Sequence, residues 1–394
     1  MNVPEEHLAA AVGILEQLVA FDTTSHRSNM ELVTWVNALL SELGATTSIL
    51  PSPDGRKANL FATLGPVRDG GLVLSGHSDV VPADAADWAS PPFELSRRGD
   101  RLHGRGACDM KGSIACALAF AKRFDAKSSP IPIHLALSYD EELGCLGVPG
   151  IISEFGRTLP KPGMVFVVEP TSMRPIVAHK GYLAYETRFL GEPAHSSRPG
   201  DGISAIRIAV AFISALEALG EELSRGVNVA DMTPSFSTIN VGRIEGGLAT
   251  NVVPPQCRIL WELRPVPGVE VQAVLDRLGV LVARSLEKVI PVADIGSRIV
   301  TRETGAEPTF SDPSGPAFRL VQELTGCEGG DTAAYGSEAG FFHAAGISTV
   351  IMGPGDVLQA HRIDEYIEID QLAAGLGFLD ALELRLRRNG VDGP

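Results

Sequence analysis

Residues Gly71 to Gly76 carry an unbroken apolar run, Leu72-Val73-Leu74, bounded by glycines and followed by Pro82. By periodicity alone so short a run fits a strand or a piece of helix; the glycines and the proline favour a strand. A strand without polar alternation is buried on both faces and belongs to a parallel sheet covered by helices. At its C-terminal end stand His77 and Asp79. In extended backbone, residues two apart project to the same side. Open α/β sheets bind their ligands at that end of their strands. An imidazole beside an orienting carboxylate is a metal-ligand arrangement; a His in a solvated loop is the competing account.

The rest of the chain fits an α/β frame. Helices are expected near Glu5–Val19 and over Asn29–Leu43, with Ser28 or Asn29 as cap and Gly44 as stop. Strands follow near Ser48 and at Asn59–Leu64, then a polar loop from Pro82 to Asp100 and a helix from about Met110 to Phe124. Two more buried strands, Ile131–Ser138 and Met164–Val168, end in Glu141-Glu142 and Glu169. Strands alternating with helices predict a mostly parallel sheet.

The pattern changes after Ile176. Tyr182–Leu190, Ser235–Val241, Ala249–Val253 and Arg258–Arg264 read as strands, and Ile203–Leu219 and Val269–Glu287 as helices. This predicts a four-stranded α+β domain over residues 178–290, inserted into a catalytic α/β domain of residues 1–177 and 291–394. The α/β style resumes with helices at Gly315–Leu324, Tyr335–Ala345 and Ile369–Arg388 and a strand at Ser348–Met352. Two domains suit a chain of 394 residues.

The net charge of −15 argues against nucleic acid or an anionic membrane surface as partner. No apolar run is long enough to span a bilayer, and the acidic start lacks a signal-peptide pattern. The five scattered cysteines, without C-x-x-C pairs, suggest reduced thiols, so a cytoplasmic protein is expected.

Acidic or imidazole groups recur where strands end: His77 and Asp79, Glu141 and Glu142, Glu169, and His361 after the last strand. Asp109 lies just before a helix, where negative charge is favoured. Each alone has a plain explanation as a cap or a solvated loop end. GRGACDMKGS has Lys before Gly, unlike a phosphate-binding P-loop, and no G-x-S-x-G nucleophile elbow is present.

Taken together, GHSDVVP, GRGACDMKG, DEELGCLG, VVEPT and GPGDVLQAHRIDEY resemble the M20 family of dinuclear zinc peptidases and deacylases over nearly the whole chain. The resemblance implies two zinc ions, with cobalt or manganese as substitutes. It implies that His77 and Glu169 hold one ion, Glu142 and His361 the other, and Asp109 both. It assigns Asp79 to orienting His77 and Glu141 to the general base. It implies a homodimer formed through the inserted domain, which acts as a lid. His195 of GEPAHSS would stabilise the oxyanion in the other subunit's active site, or merely pack in the interface. Asn251, Arg264, Gly336 and Ser337 fall at positions that would contact a small N-acyl amino acid; helix N-terminal packing is an equal account for Gly336 and Ser337. The expected activity is metal-dependent amide hydrolysis. A binding protein on the same scaffold, or an interaction protein, is the alternative from another class.

Overall fold

The computed structural model describes residues 3–127, 129–287 and 289–389. The chain divides into two compact units. The first comprises residues up to Val177, Ser311–Asp331 and residues from Ser337 onward; the second comprises Ala178–Phe310 and Thr332–Gly336.

The sheet of the first unit runs Thr46–Pro51, Ala58–Leu64, Ile133–Ser138, Leu72–His77, Met164–Pro170, Ser348–Gly353 in spatial order. The first two junctions are antiparallel and the next three parallel. In this register His77 faces Ser138, and Ile351 faces Val167. Four strands therefore finish along one edge, and the chain leaves each of them carrying a candidate ligand. Every residue of Leu72–His77 and Ile133–Ser138 is buried, as the missing polar alternation requires.

Helices Glu5–Ala20, Gly112–Arg123 and Ile369–Asn389 pack together beside this sheet. Glu5–Ala20 buries Ala11, Ile14, Leu15, Leu18 and Val19, the 3.6-residue stripe. Met30–Glu42 buries Leu32, Val33, Val36 and Leu40 and stops before Gly44, whose φ of +81° suits a residue without Cβ. Each buried Leu or Val contributes roughly 1.5–3 kcal/mol relative to exposure. Asn29 precedes this helix, but its amide serves tertiary contacts: Nδ2 donates to the Ala58 carbonyl and Ser78 Oγ, both at 2.8 Å. The third helix starts at Gly112, later than expected, because Ala107–Lys111 forms a kinked turn. A Cβ at Gly112 would lie 2.5 Å from the Ala107 carbonyl oxygen, so the turn closes only over glycine.

A small sheet of Ser96–Arg98, Arg101–His103 and Tyr366–Glu368 ties the segment before Asp109 to the segment after His361. No polar-loop reading of Pro82–Asp100 anticipated it. The helix expected over Tyr335–Ala345 is confined to Ala339–Ala344.

The second unit is an antiparallel sheet in the order Thr238–Gly246, Gln256–Arg264, Tyr182–Leu190, Ile299–Glu307, with helices Ala205–Ser224 and Val271–Leu286 sharing its core. Alternate residues Leu183, Tyr185 and Phe189 point inward to meet Cys257, Ile259, Trp261 and Leu263. Tyr185 stacks on Trp261 at 4.4 Å between ring centroids, and Trp261 Nε1 donates to Thr187 Oγ1. The fourth strand is not Ala249–Val253, which forms turns with one bridge from Val252 to His195. Pro254 and Pro255 lack N–H donors and end any ladder there. Ile299–Glu307 takes that place and carries the unit to Phe310, beyond the expected limit at 290. Its mostly exposed, polar residues and a bulge between Glu303 and Gly305 are features of an edge strand.

Candidate active site

The first unit brings His77, Asp109, Glu142, Glu169 and His361 together. His77 ends its strand 1% exposed. Its Nδ1 lies 2.9 Å from the Asp79 carbonyl oxygen. A carbonyl only accepts, so Nδ1 carries the proton and a neutral ring offers Nε2 as donor atom to a cation. Nε2 lies 3.0 Å from Asp109 Oδ1 and 3.9 Å from Glu169 Oε1. The other Asp109 oxygen, Oδ2, lies 3.4 Å from His361 Nε2, which is also 2.9 Å from Glu142 Oε2. Two three-residue sets result, His77–Asp109–Glu169 and Asp109–Glu142–His361, each with donor atoms within 4.8 Å of one another. Asp109 belongs to both and turns one oxygen to each.

Asp79 lies against His77, but its closer contact is through the backbone. Asp79 Oδ1 is 3.7 Å from Nδ1, and the close partner is the Asp79 backbone carbonyl. The carboxylate instead accepts from Ser25 Oγ at 2.8 Å and from the backbone N–H groups of Glu141 at 3.1 Å and Glu142 at 3.3 Å. It therefore anchors the turn that carries the two glutamates. Asp140 opens that turn at φ 55°, a conformation that Asp tolerates. Its carboxylate pairs with Lys57. The adjacent side chains then diverge. Glu142 reaches His361, while Glu141 stands outside both donor sets, with Oε1 3.6 Å from Cys145 Sγ.

Electrostatics mark the cluster as short of positive charge. Burial pushes the Glu141 and Glu169 carboxyls well above their ordinary range, with neighbouring carboxylates adding to it. Burial likewise raises Glu142. Burial would also raise Asp109, but hydrogen bonds with His361 and His77 outweigh it and hold that carboxyl low. Burial would lower His77, but Asp109, Glu169 and Glu141 hold it well above the usual imidazole range. His361 is pushed up to about 10 by its bonds to Asp109 and Glu142. Three glutamates and two imidazoles that favour an extra proton, set around an ionised Asp109, define a cavity that divalent cations would neutralise. The mixed nitrogen and oxygen donors fit zinc, cobalt or manganese.

The other candidates fall elsewhere. His195, Asn251, Arg264 and Gly336 lie in the second unit. His195 is exposed, and its Nδ1 accepts the Ser197 backbone N–H at 3.2 Å, which places the proton on Nε2. Ser196 N donates to the Asn251 carbonyl, so His195 and Asn251 sit on neighbouring backbone. The Arg264 guanidinium is occupied: Nε donates to Glu262 Oε1 at 3.0 Å, and the group lies over the Tyr182 ring. A Cβ at Gly336 would meet Glu307 Oε2 at 2.0 Å, so this glycine permits close packing. Ser337 is 1% exposed and its hydroxyl accepts the Ala339 N–H, the helix-start role. Cys108 is buried beside Asp109, its thiol donating to the Asp356 carbonyl; it joins neither donor set. All five cysteines are unbridged.

Two buried groups escaped the sequence reading. Glu365 is 1% exposed and accepts four hydrogen bonds around the Asp109 turn. Lys111 is fully buried, its ammonium donating to the Phe21 carbonyl at 2.8 Å. Both stand inside the motifs that carry the family resemblance, but nothing in residue type or spacing says which polar members turn inward.

A sheet edge lined by two imidazoles and a shared carboxylate belongs to the metallohydrolase class, and the comparisons agree. The sequence pattern of peptidase family M20/M25/M40 matches residues 73–384, and the chain belongs to that family of hydrolases. The chain is 36% identical over 370 residues to acetylornithine deacetylase of Myxococcus xanthus, covering 93% of this chain and 94% of that one. Against acetylornithine deacetylase of Proteus mirabilis the identity is 33% over 353 residues, covering 89% and 88%. In fold it is similar to a Staphylococcus aureus tripeptidase, with a TM-score of 0.75 at 18% identity over 96% of this chain and 98% of that one. It is also similar to a Bacillus subtilis dinuclear metal-binding peptidase of family M20, with a TM-score of 0.68 at 15% identity over 97% and 99%. Among the described residues, no helix is long and apolar enough to cross a membrane.

Proposed function

We propose that this chain is a dinuclear zinc amidohydrolase that cleaves N2-acetyl-L-ornithine to acetate and L-ornithine, a step of arginine biosynthesis. The observation that carries the metal reading is Asp109, whose two oxygens face His77 and His361 within two complete donor sets. The substrate reading rests on the two deacetylases matched over about nine-tenths of the chain.

His77 and Glu169 would hold one cation, Glu142 and His361 the other, and Asp109 both. Two such cations would polarise the amide carbonyl and lower the pKa of water between them. Glu141, held outside the ligand sets, takes the proton of the attacking water and delivers it to the leaving amine. His195 donates from Nε2 to the oxygen that gains charge as the carbonyl becomes tetrahedral. We place that donation across a homodimer formed through the second unit, so His195 serves the neighbouring subunit. Arg264 is already partnered by Glu262, so a carboxylate would have to share the guanidinium with it.

The test compares kcat/KM for N2-acetyl-L-ornithine and N-succinyl-LL-diaminopimelate with zinc-loaded protein. Preference for the acetyl substrate supports the proposal. Preference for the succinyl substrate keeps the metal centre and replaces the substrate; turnover of neither, with both metals bound, overturns the acetylornithine assignment and sends the search to other N-acyl amino acids and dipeptides. In the same assay, His195→Ala is expected to lose roughly 100-fold or more in kcat, the scale of one lost oxyanion donor. Sedimentation should show an unchanged assembly; a wild-type rate would return His195 to packing.

A further inference from the structure

The turn Gly106–Asp109 holds Asp109 in place, yet of its four backbone donors only Ala107 N finds a local acceptor, the Gly104 carbonyl at 3.0 Å. Gly106 N, Cys108 N and Asp109 N donate instead to the two oxygens of Glu365, at 2.9, 2.8 and 3.0 Å. Arg105 Nη1 adds a fourth bond at 2.8 Å. The guanidinium in turn lies over the Trp88 ring, with 5.0 Å to its centroid. Buried backbone N–H groups need acceptors, and bonds to an ionised acceptor are the stronger kind.

Glu365 also belongs to the loop that carries His361, four residues earlier. Its carbonyl accepts from Gly104 N at 3.0 Å, and the next residues, Tyr366–Glu368, pair with Arg101–His103. On the other side of the same loop, the Cys108 thiol bonds to Asp356. The segments bearing Asp109 and His361 are thus stitched together through one carboxylate, and that stitching sets where the Asp109 oxygens lie between His77 and His361.

We propose that Glu365 is a positioning residue of the cation centre, fixing the Asp109 turn against the His361 loop so that one carboxylate serves both sites; this rests on reading the cluster as a two-cation centre. Glutamine in its place has one acceptor oxygen, and its NH2 would be set against N–H donors or the Arg105 guanidinium. The turn would then lose at least one anchor, and the Asp109 oxygens would move off the line between the imidazoles.

The probe is Co²⁺ added to chelator-stripped protein, followed by calorimetry and by the visible absorption of the bound ion. Wild type is expected to take two equivalents. Glu365→Gln is expected to bind the second roughly 10–100-fold more weakly, as loss of groups that orient metal ligands does elsewhere. Its cobalt spectrum should change while far-ultraviolet circular dichroism does not, and Glu365→Asp, which keeps both oxygens, should recover part of the affinity. Glu368→Gln, at an exposed carboxylate paired with Arg101, should match wild type. A Glu365→Gln protein that binds both ions with wild-type affinity and spectrum overturns the proposal. A wild-type protein that fails to bind two ions overturns the metal reading itself, and this one with it. Hydrogen exchange of the Gly104–Met110 peptide in stripped wild type needs no variant: protected amides support the clamp, and freely exchanging ones sink it.

Discussion

Glu141→Gln is expected to abolish most turnover, by roughly 10²–10⁴-fold in kcat, while both cations stay bound. The reason is geometric. Glu141 stands outside the two donor sets, so an amide there removes a proton acceptor and leaves the ligands alone. The exchange is also close to isosteric, and it removes a carboxylate from a buried cluster already rich in them. The folded protein should therefore be at least as stable, and its metal content unchanged by elemental analysis. Loss of cations along with activity would mean that Glu141 is a ligand. Full activity would end its candidacy as the base.

Asp109→Asn should act at the opposite end of the mechanism. The aspartate uses Oδ1 toward His77 and Oδ2 toward His361. Asparagine has one oxygen acceptor and presents NH2 donors on its other side, so it can serve one set only. It also deletes a negative charge that both cations would share. Metal analysis should fall from two ions to one or fewer, and kcat/KM should fall by at least the roughly 10²-fold that loss of correctly placed catalytic geometry costs. Retention of two ions at wild-type affinity would show that Asp109 is not the shared ligand. The two variants together separate loss of the base from loss of the centre.

Much of this arrangement was legible because strand ends are legible. An apolar run with no alternation marks a strand buried on both faces, and the residue that follows it marks the sheet edge; His77, Glu142 and Glu169 are found in this way. His361 also follows a strand, though at a distance, and Asp109 lies ahead of a helix instead; position alone left both with plain accounts, and the joint motif pattern gave them their roles. Asp79 was placed beside His77 because of its spacing, but spacing cannot tell a carboxylate contact from a backbone carbonyl contact. The same limit applies to Ser337, whose hydroxyl turns inward to the helix start. Ile299–Glu307 was missed because an edge strand exposes most of its residues and so carries no apolar period. Arg264 reads in sequence as a free forked donor; its pairing with Glu262 depends on two side chains lying on the same face of one strand.

The stitch between the Asp109 turn and Glu365 also bears on when the protein becomes competent during its synthesis. Asp109 N and its acceptor lie 256 residues apart in sequence. A nascent chain can therefore have its central strands out of the ribosome for many seconds before the acceptor is made, at roughly 5–20 residues per second. Until then the Asp109 turn lacks its anchor and His361 does not exist, so one donor set is incomplete. On the proposed function, cation capture at the shared carboxylate would thus be among the last events of biogenesis, and a chain truncated ahead of Glu365 would carry most of its strands without a finished centre.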